Sequence, residues 1–140
     1  MTAILVIAST LIGKADDDKP IGFNQLPDIS KKFIQTYFNQ KDISYSKVDH
    51  DFWDKSYEVF FVNGSKVEFN KKGEWEMIDC LNNQIPKGII PVQILKYVEK
   101  NHPGSQIVKI DRDSRDYEVQ LNNNLEIKFD FKFNMIGYDD

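Results

Sequence analysis

Alternating apolar and polar positions predict β-hairpins in two parts of the chain. Tyr57, Val59 and Phe61 occupy every second position, so their side chains would share one face of a strand. The dipeptide Asn63-Gly64 follows, and it is typical of the two-residue turn of a hairpin. Residues 66–69 continue the alternation as a second strand. The pattern therefore predicts a hairpin with one buried face and one face open to solvent.

The hairpin pattern occurs a second time, 60 residues further along the chain. Residues 57–70 align without a gap with residues 117–130, so that Tyr57-Glu58-Val59 matches Tyr117-Glu118-Val119. An internal repeat of this length predicts that the chain is built from two similar units.

Each unit also contains the pattern of one amphipathic helix. The first follows Leu26-Pro27 and the second follows Ile90-Pro91, and apolar residues recur at helical spacing in both. We predict two units, residues 26–84 and 85–140, each with one helix followed by four antiparallel strands. A unit of about 60 residues is marginally stable alone, so we expect both units to share one sheet in an α+β fold. One curved eight-stranded sheet would carry both helices on one face.

An apolar run over residues 3–12 precedes the first unit. The small residues Gly13 and Ala15 follow it, in the order of a secretory signal, although no lysine or arginine precedes the run. We interpret residues 1–15 as a signal peptide and residues 16–25 as a flexible lead-in. The alternative is an N-terminal strand or helix that packs on the domain. A signal peptide predicts a periplasmic or secreted protein.

Charge and cysteine content argue against several classes of function. The formal net charge is −4 and the basic residues form no stripe, which argues against a nucleic-acid partner. The N-terminal apolar run is too short to span a bilayer. A single cysteine, Cys80, cannot form an intrachain disulfide. We expect neither a cofactor nor a membrane span.

The solvent-facing side of the predicted sheet is the candidate binding surface. Exposed aromatic side chains mark binding patches on soluble proteins. Phe60 is the first candidate, because it alternates with the buried residues of its strand. The full set of predicted binding residues is Trp53, Glu58, Phe60, Val62, Trp75, Glu118 and Gln120.

These motifs resemble the PepSY-like family, small exported proteins of Bacteroides-type bacteria with a beta-lactamase-inhibitor-like fold. The resemblance lies in the helix-opening prolines and in the segments YEVFFVNGSKVEFNKKGEWEMI and YEVQLNNNLEIKFD, and it covers residues 26–138. It implies that the two units are PepSY-like repeats and that the curved sheet has its helices on the convex side. It also implies that the concave side binds another protein, such as a peptidase or another exported enzyme. It implies no catalytic residue.

The second unit departs from the first at its turns. Asn124 stands where the first hairpin has Gly64, and Phe133 stands where the first unit has Gly73. Glycine is the residue that most readily adopts the left-handed conformation of such turns. The geometry of the last hairpin is therefore left open.

Two acidic loops offer an alternative function. Both read Asp-x-Asp-x-x-Asp, and both lie between the first and second strands of a unit. Carboxylate oxygens in a short loop suit calcium, although the glycine and bidentate glutamate of an EF-hand are missing and aspartate is common in turns. The loop residues are Asp49, Asp51, Asp54, Asp111, Asp113 and Asp116. The alternative is a small-ligand or calcium-binding periplasmic protein.

Catalytic chemistry has little support in the sequence. The two histidines, His50 and His102, occupy different positions in the two units, and no nucleophile-elbow motif is present. A hydrolase would need one of them beside a nucleophile. We therefore predict an exported binding module that is not an enzyme and that recognises an unidentified protein, as an inhibitor does, through the concave sheet face.

Overall fold

The period-two pattern of the sequence becomes a single antiparallel sheet. The computed structural model describes residues 17–50 and 53–139, and these contain nine strands paired in sequence order and two α-helices. The strands are β1 (Asp17–Ile21), β2 (Ile43–His50), β3 (Lys55–Phe61), β4 (Lys66–Phe69), β5 (Trp75–Asp79), β6 (Ile107–Arg112), β7 (Asp116–Leu121), β8 (Glu126–Asp130) and β9 (Met135–Asp139). Helix α1 (Asp28–Tyr37) precedes β2, and helix α2 (Val92–Asn101) precedes β6. The α+β class is confirmed, while the predicted signal peptide lies outside the described residues.

The ninth strand is β1, in a segment for which the sequence predicts a flexible lead-in. It pairs antiparallel with β2, from Asp18 opposite Asp49 to Ile21 opposite Ser46. An edge strand exposes unpaired backbone groups, and β1 satisfies those of β2. Pro20 is tolerated because β1 is an edge strand, and the free edge of a sheet has no further strand that needs a backbone N–H donor. The prediction of eight strands is wrong by one, because backbone pairing rather than apolar burial forms this strand.

Both helices pack on the same face of the sheet, as their apolar spacing predicts. Phe33 of α1 meets Phe69 of β4 edge-on, with ring centroids 5.9 Å apart. Tyr97 of α2 meets Phe129 of β8 in the same way at 5.4 Å. These contacts define the inner face of the sheet.

The core lies between the helices and the inner face. Its fully buried apolar side chains are Ile34, Val59, Val67, Phe69, Ile78, Ile94, Ile110, Val119, Leu121, Ile127 and Phe129. Each contributes about 1.5–3 kcal/mol before the entropy of ordering the chain is subtracted. Ser30 of α1 is also buried, and its hydroxyl donates to the Gly73 carbonyl at 2.9 Å. This bond holds α1 against the β4–β5 turn.

The hairpins β3–β4 and β7–β8 have the same register. Tyr57 lies opposite Phe69 in the first, and Tyr117 lies opposite Phe129 in the second. The inner face therefore receives side chains from equivalent positions of both hairpins.

The turns of the second half adopt left-handed backbone conformations without glycine. The φ angle is +93° at Gly64 and +72° at Asn124, and it is +90° at Gly73 and +67° at Phe133. Asparagine tolerates this conformation better than most residues. Phe133 is held in it by packing on Tyr117, with ring centroids 5.5 Å apart. The last hairpins therefore have turn conformations like those of the first half.

Candidate functional site

The side chains that alternate with the core form the face of the sheet opposite the helices, which we call the outer face. Its central row is set by successive cross-strand partners from β2 to β8: Lys47, Glu58, Glu68, Met77, Asp111, Glu118 and Lys128. Both α-helices of the described chain pack on the inner face. The outer face is therefore an open, strand-built surface, as one side of an antiparallel sheet can be.

Two aromatic rings from neighbouring strands stack on the outer face. Tyr45 of β2 lies opposite Phe60 of β3, with ring centroids 4.6 Å apart and planes inclined by 12°. Tyr45 is 49% exposed. The Nζ atoms of Lys47 and Lys66 lie 5.8 and 5.6 Å from the centroid of Phe60, within the range of cation–π attraction. We call Tyr45 and Phe60 the aromatic pair.

Two lysines neutralise the carboxylates around the aromatic pair. Lys47 Nζ lies 2.8 Å from Asp18 Oδ2 and 3.2 Å from Glu58 Oε1. Lys66 Nζ lies 3.8 Å from Glu58 Oε2 and 3.2 Å from Glu68 Oε2. The hydrogen bond to Asp18 is the main cause that raises the pKa of Lys47 well above its usual value. The bridges hold the lysine chains beside the rings and balance most of the local charge.

The carboxylates of β6 to β8 are arranged differently. Asp111 is the direct cross-strand partner of Glu118, and Glu126 lies on the adjacent strand. Burial raises the pKa of Asp111, and burial followed by the charge of Glu126 raises the pKa of Glu118. Lys109 and Lys128 oppose these shifts. Among the ion pairs of the described residues, none includes Asp111, Glu118 or Glu126, which we call the carboxylate cluster.

The structure places most of the sequence-predicted binding residues at the surface but in separate groups. Those on the outer face are Glu58, Phe60, Glu118 and Gln120. Val62, just after β3, is 70% exposed, and Trp53, in the loop before β3, is 86% exposed. Strand β7 is four strands from β3, which corresponds to about 19 Å at the usual strand spacing. The predicted residues therefore form two groups rather than one patch.

Trp75 belongs to the core side of the sheet and not to the outer face. It is only 8% exposed. A register shift between Glu68 and Phe69 sets Trp75 opposite Phe69, on the inner face. The guanidinium of Arg112 lies 3.8 Å from the indole centroid, and its Nε donates to the Trp75 carbonyl at 2.8 Å. Trp75 thus packs and positions β5 and does not present a binding surface.

Tyr45 is a surface residue that the sequence reasoning missed. The sequence contained a signal for it, because Tyr45, Lys47 and Asp49 occupy alternate positions of one strand, with the buried residues Ser46 and Val48 between them. Only the pairing of β2 with β3 shows that Tyr45 stacks on Phe60.

The acidic loops form no metal site among the described residues. No group of three or more His, Cys, Asp or Glu side chains in residues 17–50 and 53–139 could hold a metal ion. Asp113 Oδ1 instead accepts hydrogen bonds from the backbone N–H groups of Arg115 and Asp116, at 2.7 and 3.0 Å. These bonds lower the pKa of Asp113. Asp111 lies on β6, and Asp51 falls outside the described residues.

Charges in both acidic loops act on the Glu76 carboxyl of β5. Burial raises its pKa, and the charges of Asp54 before β3 and Asp113 after β6 raise it further. Arg112 opposes this effect. Asp49 lies away from this point in β2, opposite Ser56. One residue of each loop thus contributes to the raised pKa of Glu76.

The residues needed for hydrolysis are not assembled in the described chain. His102 Nε2 lies 3.2 Å from Tyr138 Oη, whose hydroxyl also bonds to that of Tyr97. His50 is exposed at the end of β2. Cys80 is buried, and burial raises the pKa of its thiol. Within residues 17–50 and 53–139, no histidine hydrogen-bonds to a serine, threonine or cysteine side chain.

Comparison with known families agrees with this fold. The sequence model of the family described as "Putative beta-lactamase-inhibitor-like, PepSY-like" matches residues 55–137. The chain belongs to this PepSY-like family, so the resemblance seen in the sequence motifs is confirmed. No match was found among the curated proteins.

Three solved structures from Bacteroides are similar over most of the chain. A protein of Bacteroides thetaiotaomicron is 49% identical with a TM-score of 0.86, over 89% of this chain and 98% of that one. Two proteins of Bacteroides vulgatus are 48% and 36% identical, with TM-scores of 0.85 and 0.82, over 90% of this chain and 99% and 100% of theirs. All three are described as putative periplasmic proteins, the first as calcium-regulated and the third as of unknown function.

These relatives confirm the predicted periplasmic or secreted location. None of the descriptions names a catalytic activity. Among the described residues there is no helix with the length and apolar character to cross a membrane.

Proposed function

We propose that the protein is an exported, non-catalytic binding module that recognises another protein through the outer face. The observation that carries the proposal is the aromatic pair, Tyr45 and Phe60, stacked on a face that neither helix covers. Aromatic side chains on an open surface are typical anchors of protein interfaces. The family description, inhibitor-like, supports a protein partner such as a peptidase or another exported enzyme.

Strand pairing supports this surface as a preorganised one. The rings come from the adjacent strands β2 and β3, and Lys47 and Lys66 are held beside them by ion pairs to Glu58. Side chains that are already ordered lose less conformational entropy on binding. A tandem repeat with a curved sheet remains our interpretation of the chain, supported by the equal register of the hairpins β3–β4 and β7–β8.

The test compares partner capture by the purified protein and two variants from a periplasmic extract. Phe60→Ala removes half of the aromatic pair. Leu95→Ala is the matched control, because Leu95 is 41% exposed on α2, where it lines an apolar groove of about 530 Å³ on the helix side. We expect a partner retained by Leu95→Ala and lost by Phe60→Ala. Equal recovery with both variants would rule out the outer face, and selective loss with Leu95→Ala would assign recognition to the helix side.

Calcium binding is the second candidate, favoured by the relative described as calcium-regulated. In this chain the charges of the loop residues Asp54 and Asp113 both act on Glu76 of β5. Thermal unfolding with calcium, with magnesium and with chelator tests it, since a ligand that binds only the folded state raises the midpoint. A calcium-specific rise that Glu76→Gln abolishes would support calcium binding by the loops. An unchanged midpoint would dismiss it.

A further inference from the structure

The outer face carries the negative charge of the protein. Strand register places eleven carboxylates on it and four lysines, a formal charge of −7 that is more negative than the −4 of the whole chain. The carboxylates are Asp18, Asp49, Glu58, Glu68, Asp79, Asp111, Asp116, Glu118, Glu126, Asp130 and Asp139, and the lysines are Lys47, Lys66, Lys109 and Lys128. A surface of one predominant sign attracts partners of the opposite sign.

The two halves of this face treat their charges differently. Around the aromatic pair, Lys47 and Lys66 bridge the neighbouring carboxylates. In the carboxylate cluster, Asp111 and Glu118 lie directly opposite one another without an ion pair in the described chain. Like charges directly opposite on neighbouring strands are destabilising. Lys128 lies opposite Glu118 on the other side, yet burial and the neighbouring carboxylates still raise the pKa of Glu118. Folding alone therefore does not favour a carboxylate at this position.

The spacing of the two halves limits the shape of a partner. Phe60 lies on β3, and the carboxylate cluster lies on β6, β7 and β8, three to five strands away. At the usual strand spacing this is about 14–24 Å. The carboxylates near the rings are already paired with Lys47 and Lys66. An apolar group of the partner thus meets the aromatic pair, while its basic groups meet the carboxylate cluster.

Resting on the proposed binding function, we propose that the outer face recognises a cationic protein surface. The partner presents lysine or arginine side chains to Asp111, Glu118 and Glu126 and an apolar side chain to Tyr45 and Phe60. Complementary charge speeds association and rejects acidic partners, while the buried apolar contact slows dissociation. The carboxylate cluster is then retained for recognition at a cost in stability.

Defined peptides test this without knowledge of the natural partner. The probe is a fluorescein-labelled extended peptide with one tryptophan and a block of four lysines. Six neutral residues separate them, which span about 20 Å at the rise of an extended chain. A second peptide carries glutamates in place of the lysines. Anisotropy is measured with the wild type, Glu118→Gln/Glu126→Gln, Phe60→Ala, and the control Asp28→Asn/Glu99→Gln, which removes equal charge from the two helices.

The lysine peptide is expected to bind the wild type and the control alike. Each removed outer-face carboxylate should weaken it about fivefold, the factor for one charge pair at about 4 Å in water. Added salt should weaken it as well, and the glutamate peptide should not bind. No binding of the lysine peptide, or equal weakening by the control, would overturn the proposal. So would displacement by calcium chloride well beyond sodium chloride at equal ionic strength, because the cluster would then be a cation site.

The variants also separate this inference from the proposed function. If Phe60→Ala weakens binding of the lysine peptide and Glu118→Gln/Glu126→Gln does not, the outer face stays a docking surface but has no preference for cationic partners. Sensitivity to the charge variant alone would support cationic recognition and count against the aromatic anchor.

Discussion

The β4–β5 turn provides the sharpest structural prediction, through the substitution Gly73→Ala. Gly73 has a φ of +90°, and it packs against the beginning of α1. A Cβ at this position would lie 2.7 Å from Pro27 Cβ, 2.9 Å from Ile29 Cγ1 and 2.9 Å from Ser30 Oγ. Ile29 is half exposed and can move. The Pro27 ring is tied to the backbone, and Ser30 is buried with its hydroxyl bonded to the Gly73 carbonyl.

The magnitude has two parts. The left-handed conformation costs a residue with a Cβ about 1–2 kcal/mol. Overpacking against groups that cannot retreat typically costs about 1–3 kcal/mol more. We therefore expect Gly73→Ala to lower the free energy of unfolding by about 2–5 kcal/mol, a large share of the about 5–15 kcal/mol typical of a domain.

Gly104→Ala is the control. Gly104 has a nearly equal φ of +86°, but beyond its chain neighbours no heavy atom lies within 4 Å of the position that a Cβ would take. It should therefore show only the backbone cost of about 1–2 kcal/mol. Urea unfolding followed by circular dichroism gives both values, with unchanged slopes indicating an unchanged unfolding transition. If the two variants lose equal stability, the close approach of the turn to α1 is refuted.

Three further predictions concern the outer face, the contact between α2 and β9, and the core side of β5. Glu118→Gln should raise the free energy of unfolding near pH 7 by about 0.2–1 kcal/mol, because burial and the charges of Glu126 and Asp111 disfavour the Glu118 carboxylate more than Lys128 opposite it favours that carboxylate. Since the folded-state pKa of both carboxyls is raised, the folded state takes up protons at a higher pH than the unfolded state does. The stability gained by the variant should therefore be complete above the folded-state pKa and should vanish below the unfolded-state pKa of about 4. A gain that does not change with pH would contradict this. Burial and a hydrogen bond to Tyr138 raise the pKa of Tyr97 to about 12, so ultraviolet titration should find one late tyrosine that Tyr138→Phe shifts to lower pH. If Tyr138→Phe leaves every tyrosine transition in place, that bond is absent. Finally, Trp53→Phe leaves Trp75 as the sole tryptophan, and its emission should be blue-shifted and poorly quenched by acrylamide, whereas red-shifted, readily quenched emission would mean that Trp75 is exposed.

Local periodicity explains why much of the candidate site could be predicted. Phe60 and Glu58 alternate with Val59 and Phe61, so their placement on the outer face follows from the strand alone. Trp75 could not be placed in this way. Its side depends on the bulge opposite Phe69, and one extra residue moves a side chain to the other face.

The sequence by itself determined the elements that depend on near neighbours in the chain. These are the hairpins with one apolar face, the two amphipathic helices and the α+β class, because side-chain period and turn residues act within a few positions. The tertiary structure alone decided what depends on strands meeting from distant parts of the chain. It added β1 to the edge of β2, stacked Tyr45 on Phe60, and set Asp111 opposite Glu118. Such contacts are fixed by register and strand order, and no local pattern encodes them.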